Sequence, residues 1–212
     1  MTGAEISVVG RGWLGLESRH TPMHMGVLVY CALPSRGGKS FVGKMVESWR
    51  ASTELHPNWT LRCAGSSPRR SSRWVSDGDI DLDYHLRHVG LPAPGGEREL
   101  GELISRLHGK ALDLGRPPWE ITVIDGLYGQ RFALYFKVHP ALFNSGDLMD
   151  GLRLLFSDQA QSQAPAPWTQ PLRVRSGSSS LLGAWPSLLG PLSRRVRDSL
   201  FAGLPWAGFR RA

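Results

Sequence analysis

The segment Arg131-Phe-Ala-Leu-Tyr-Phe-Lys-Val-His139-Pro140-Ala-Leu-Phe-Asn144-Ser145 closes an apolar, aromatic run on an imidazole. A histidine at a strand end can present its ring to a hydroxyl and take the proton near neutral pH. Its neighbour Pro140 cannot accept a proton, and it breaks the strand into a turn. Asp147 and Asp150 are the next carboxylates, on a stretch with helical periodicity. A lone histidine at a strand end is more often structural than chemical, so its surroundings decide.

Other residues of reactive type carry less. Gly37-Gly38-Lys39-Ser40 lacks the earlier glycine of a phosphate loop, because Leu33 stands there. His20 with His24, and His85 with His88, have metal-ligand spacing on a helix, yet no third ligand lies near and their surroundings read as extended, so no metal is expected. Asn58-Trp59-Thr60 fits a glycosylation acceptor, which means little without a secretory leader. Arg69, Arg70 and Arg73 lie in a serine-rich loop without the interleaved aromatics of a nucleic-acid surface, so nucleic acid is not an expected partner. Cys31 and Cys63 form no metal framework and read as reduced thiols.

The elements that must position His139 follow from periodicity. Residues 22–33 predict a buried strand, and Ser40 opens a helix through Phe41, Val42, Met45, Val46 and Trp49. Residues 64–72 read as a polar loop, and the alternation of Ile80, Leu82, Tyr84 and Leu86 predicts an extended segment over 77–89. After a turn at 92–96, Leu100, Leu103, Ile104, Leu107 and Leu112 predict an amphipathic helix over 97–112. Residues 121–126 and 131–138 predict paired strands joined by a hairpin. A helix over 147–156 turns Leu148, Met149, Leu152 and Leu155 inward. The uneven alternation gives an α/β fold, or α+β with a mixed sheet.

The composition shifts at 158. Residues 158–180 are rich in Gln, Ala, Pro and Ser and read as a linker. Residues 181–212 form an apolar and basic tail with Trp185, Trp206 and Arg194, interrupted by Pro186, Pro191 and Pro205. Such a tail suits either a membrane surface or a connector to another domain.

The chain has 212 residues, of which 41% are apolar, enough for one core or one core with an appendage. Its net charge, 25 − 18 = +7, favours anionic partners such as lipid head groups or the phosphates of coenzyme A. The first residues lack a signal peptide's pattern, and no apolar run approaches the roughly 20 residues that span a bilayer. The expected setting is the cytoplasm, against the inner membrane or lipid inclusions.

Several blocks, in order, resemble the N-terminal half of the bacterial wax ester synthase/diacylglycerol acyltransferase family. They are Thr21-Pro-Met-His-Met-Gly26, Asp81-Leu-Asp-Tyr-His-Leu-Arg-His88, Gly95-Gly-Glu-Arg-Glu-Leu100 and Ser105-Arg-Leu-His108. Next come Leu112-Asp-Leu-Gly-Arg-Pro-Pro-Trp-Glu120, the histidine turn, Leu148-Met-Asp-Gly-Leu-Arg-Leu-Leu155 and Pro165-Ala-Pro-Trp168. The resemblance implies the N-terminal domain of a chloramphenicol-acetyltransferase-like fold over 1–157. It further implies transfer of a fatty acyl group from acyl-CoA, as substrate rather than cofactor, to diacylglycerol or a long-chain alcohol.

The family's hallmark is His-His-x-x-x-Asp-Gly. Laid on this chain without gaps, His139 matches the first histidine, Pro140 falls on the second, which is the family's base, Asn144 on the aspartate and Ser145 on the glycine. Gly10 stands where the family has an aspartate. One residue short of the base position, His139 is expected to point to the opposite face. The resemblance also implies longer proteins, whose second domain completes the site, so a separate C-terminal acyltransferase chain is an expected partner. An alternative is a non-catalytic half-domain that binds lipid or a partner. Either way, apolar surface should remain exposed where that domain would dock.

Overall fold

The run that ends on His139 is an inner strand of a four-stranded sheet. The computed structural model describes residues 4–34, 40–65, 67–155 and 165–171. In chain order these form helix α1 (Val8–Leu16), strand β1 (Met25–Ala32), helix α2 (Phe41–Arg50), strands β2 (Leu61–Cys63) and β3 (Trp74–Ser76) and a single helical turn, α3 (Leu82–His85). Strand β4 (Leu86–Gly90), helix α4 (Glu97–Gly109), strands β5 (Trp119–Leu127) and β6 (Arg131–Val138) and helix α5 (Ser145–Leu155) follow.

The main sheet runs β1-β6-β5-β4 and is mixed: β6 is antiparallel to both neighbours, and β4 is parallel to β5. This is the mixed α/β architecture that the periodicity predicts. Both faces of β6 are covered, which is why its sequence is almost continuously apolar. Phe132, Leu134, Phe136 and Val138 join Trp119, Ile121 and Val123 in one core. Ala133 and Tyr135 face the other way, onto Leu100 and Leu103 of α4.

Several expectations need correcting. β1 is an edge strand among the described residues, and its residues are half-buried or exposed, because no described strand pairs with its outer side. The segment 77–89 is not extended throughout. Asp81 accepts the Tyr84 N–H at 3.2 Å and caps α3, so only residues 86–90 are strand. Helix α4 stops at Gly109 rather than Leu112, where side chains from the sheet take up its last carbonyls. Residues 61–63 and 74–76 pair as a small second sheet, too short to show a period.

Within the predicted linker, Pro167–Thr169 form a 3-10 turn, and Trp168 is fully buried. Its indole donates to the Ser52 carbonyl at 2.9 Å and packs on Trp49 and Trp119. Residues 158–164 and the tail at 181–212 lie outside the described residues. No helix among the described residues is long and apolar enough to cross a membrane. Apolar surface does stand exposed: Val8 (76%) and Leu16 (62%) on α1, and Tyr128 (73%) at the β5–β6 turn.

Candidate active site

The strand β6 ends in a tight turn that encloses His139. Its backbone N–H donates to the Pro118 carbonyl at 3.0 Å, and its carbonyl accepts from Leu142 and Phe143 at 3.0 and 3.1 Å. The ring is fully buried, and its Nδ1 accepts the Ala141 N–H at 3.2 Å. A backbone N–H is always a donor, so the proton of the neutral ring sits on Nε2. That atom lies 3.4 Å from Glu17 Oε2 but is not aligned for a hydrogen bond. Burial, together with the charge of nearby His24, lowers the His139 pKa to about 4. The ring is neutral at pH 7.

Glu17 follows α1 and is itself buried. Its Oε2 also accepts the Met23 N–H at 2.6 Å, so one carboxylate joins the approach to β1 to the turn after β6. A cleft of about 200 Å³ opens on Glu17, between Arg19, Arg69, Leu112 and Leu114. Neither Glu17 nor this cleft was legible in the sequence. The only signal was a lone carboxylate between Arg11 and Arg19, before a predicted strand.

The departures from the hallmark fall in one place. Gly10, in α1, is buried against the same turn, and a Cβ there would stand 3.1 Å from the Ala141 carbonyl oxygen and 2.9 Å from Ile6 Cγ2. An aspartate at this position needs the turn to move. Asn144 caps α5: its Oδ1 accepts the Asp147 N–H at 2.9 Å, and its Nδ2 donates to the Asp147 carboxylate. Asp147 is buried, whereas Asp150 is exposed and pairs with Arg153 at 3.0 Å. Of the two carboxylates downstream of His139, Asp147 is the one held at the motif. Ser145 begins α5 on the exposed side.

Beside the turn lies a buried polar group built on the end of α4. Lys137, only 1% exposed, donates to the carbonyls of Leu107 and Lys110 at 3.0 and 2.7 Å, and lies 3.6 Å from Glu120. A cation at a helix C-terminus meets the negative end of the helix dipole. Burial lowers the Lys137 pKa, and the Glu120 carboxylate opposes that shift. His24 Nε2 reaches the His108 carbonyl at 2.8 Å, and His108 Nδ1 bonds Tyr135 Oη at 2.7 Å. The Tyr135 ring lies directly over Gly26, where any Cβ would collide with it. Burial lowers the His24 pKa to about 4.

The remaining predicted histidines are separate from this group. His85 stacks on Trp119 and bonds its carbonyl at 2.7 Å, while His88 pairs with Asp125 at 2.7 Å. His20 is exposed.

Residues 7–202 match the wax ester synthase/diacylglycerol acyltransferase catalytic domain. A probable diacylglycerol O-acyltransferase of Mycobacterium tuberculosis is 40% identical over 185 residues, 84% of this chain and 40% of the relative. An O-acyltransferase of Acinetobacter baylyi is 33% identical over 204 residues, covering 87% and 43%. Among solved structures, the wax ester synthase/diacylglycerol acyltransferase of Marinobacter aquaeolei aligns with a TM-score of 0.74 at 30% identity, over 87% of this chain and 44% of that one. A four-domain nonribosomal peptide synthetase shares the fold at 17% identity and a TM-score of 0.53. The chain thus spans about 40% of the length of the first of these relatives.

Proposed function

The chain belongs to the wax ester synthase/diacylglycerol acyltransferase family, and on that premise we propose that it is the N-terminal half of an acyl-CoA-dependent O-acyltransferase, impaired in transfer when alone. In the full reaction the acceptor hydroxyl of a diacylglycerol or long-chain alcohol loses its proton to a base. Its oxygen bonds to the thioester carbonyl carbon, the C–S bond breaks, and the proton passes to the coenzyme A sulfur. No cofactor is needed beyond the acyl-CoA substrate.

One observation carries the impairment. Pro140 occupies the base position, and the only basic nitrogen of the adjacent neutral imidazole, Nδ1, is held by the Ala141 N–H. Loss of a positioned base removes roughly 10²–10⁴ in rate. The exposed Val8 and Leu16, on the helix that packs against the His139 turn, support docking of a C-terminal acyltransferase segment. The net charge of +7 supports work at an anionic cytoplasmic membrane surface or on lipid inclusions.

The alternative, a lipid-binding half-domain without catalysis, is favoured by the same proline. An acyl-CoA consumption assay with diacylglycerol or a long-chain alcohol separates the two. The chain is assayed with a C-terminal family domain supplied, as it stands and as Pro140→His. Turnover that rises in Pro140→His supports the impaired enzyme, and turnover in neither favours the half-domain. Wild-type turnover that survives His139→Ala shows that the site lies elsewhere.

A further inference from the structure

Among the described residues, two buried nitrogens in this region have a defined protonation state and no hydrogen-bond partner: His24 Nδ1 and His139 Nε2. The His108 carbonyl can only accept, so His24 carries its proton on Nε2, and Nδ1 keeps a lone pair. The Ala141 N–H can only donate, so His139 carries its proton on Nε2. His24 is 8% exposed and His139 is not exposed at all. Each orphaned atom carries an uncompensated desolvation penalty unless something satisfies it.

The two residues are neighbours across the sheet. Met25 pairs with Val138 at the end of the β1–β6 ladder, so His24 and His139 are the next opposed positions. Opposed residues in an antiparallel pair project from the same face with their Cβ atoms about 5 Å apart. The register thus brings the orphaned acceptor and the orphaned donor to the same end of the β1–β6 ladder, where His24 acts electrostatically on His139.

That pairing selects the chemistry of an occupant. A metal ion needs lone pairs on both rings, and giving His139 Nε2 one would turn an N–H against the Ala141 N–H. An anion would face the Glu17 carboxylate and the His24 lone pair. A cation would face the His139 N–H. A hydroxyl fits, because it accepts one hydrogen bond and donates another.

We propose that His24 and His139 hold one hydroxyl oxygen between them, His139 Nε2 donating to it and His24 Nδ1 accepting from it. The hydroxyl is that of a long-chain alcohol or partial glyceride, and water takes the place when no such ligand is bound. The choice of a long-chain ligand rests on the acyltransferase reading, and on the cleft whose Glu17 wall touches His139 and whose Leu112 and Leu114 are apolar. The site holds an acceptor without needing a base at position 140.

Imidazole spectra of the nitrogen-15-labelled full chain at neutral pH test this in three arms: no additive, saturating 1-hexadecanol in mild detergent, and the methyl ether of the same alcohol. Without additive, the His139 Nε2 proton is expected to show contact with water. Hexadecanol should remove that contact and move the His24 Nδ1 resonance towards a hydrogen-bonded value. The ether cannot donate and should leave His24 Nδ1 unmoved. Water contact that persists at saturating alcohol overturns the ligand assignment, while the acyl-CoA consumption assay tests the acyltransferase reading separately. Absence of both the water contact and the alcohol effect overturns the site itself, whatever the chain's activity. His24→Phe should weaken hexadecanol binding about tenfold, and an unchanged affinity also overturns the proposal. Should that variant fail to fold, the wild-type spectra decide.

Discussion

Glu17 Oε2 lies 3.4 Å from His139 Nε2 while it accepts the Met23 N–H at 2.6 Å, so one buried carboxylate links two segments far apart in sequence. Removing it takes the acceptor from the half-buried Met23 N–H and frees the approach to β1. Glu17→Ala is expected to cost about 1–3 kcal/mol, and Glu17→Gln, which keeps an acceptor oxygen, clearly less. Urea midpoints measure both. Equal losses in the two variants would assign the effect to charge rather than to the hydrogen bond.

Asn144 and Asp147 should behave as a unit. Restoring the motif aspartate as Asn144→Asp sets a carboxylate against the buried Asp147 carboxylate, where Asn144 now donates a hydrogen bond. The single change is expected to destabilise. The swap Asn144→Asp with Asp147→Asn should recover most of the loss, with a coupling of about 1–2 kcal/mol in a double-mutant cycle. Strict additivity would separate the two side chains. Attempts to rebuild the hallmark therefore need Asp147 in the design.

Lys137 places its charge on three acceptors, the Leu107 and Lys110 carbonyls and Glu120. Lys137→Met keeps much of the volume but leaves Glu120, only 4% exposed, with Arg87 at 3.9 Å as its remaining cation. Breaking a buried pair from one side costs about 3–5 kcal/mol. The paired change Lys137→Met with Glu120→Gln should cost less than Lys137→Met alone. Calorimetric melting of the three variants checks the order.

How much of this was legible beforehand depends on the range of the contacts involved. β5, β6 and the buried face of α4 show in local periodicity, because sheet and helix both repeat within a few residues. The turn at His139 shows through Pro140. Glu17, His24 and Lys137 did not show as one group, because they meet only through the β1–β6 register and the end of α4. Trp168 looked like part of a linker because its neighbours are proline and alanine; its anchor, the Ser52 carbonyl, is 116 residues away. Gly10 and Asn144 looked like simple losses from the motif. In the structure they fit the turn as it now stands, Gly10 by lacking a Cβ and Asn144 by capping α5.

Acid should loosen this chain before it protonates ordinary carboxylates. His24 and His139 both have pKa values lowered to about 4, mainly by burial, against about 6.5 in an unfolded chain. Between those values the unfolded state binds protons that the folded state refuses, so stability rises with pH across the window. The contribution is fully present above about pH 6.5 and is lost as pH falls towards 4, by up to about 1.4 kcal/mol per pH unit for each group. His85, lowered in the same direction by burial, adds to the slope. Urea unfolding from pH 7.5 down to 4.5 should show a steady fall in the midpoint, and His24→Gln should flatten it. A midpoint that holds constant across the window would mean that the two rings titrate in the folded protein as they do in the unfolded chain.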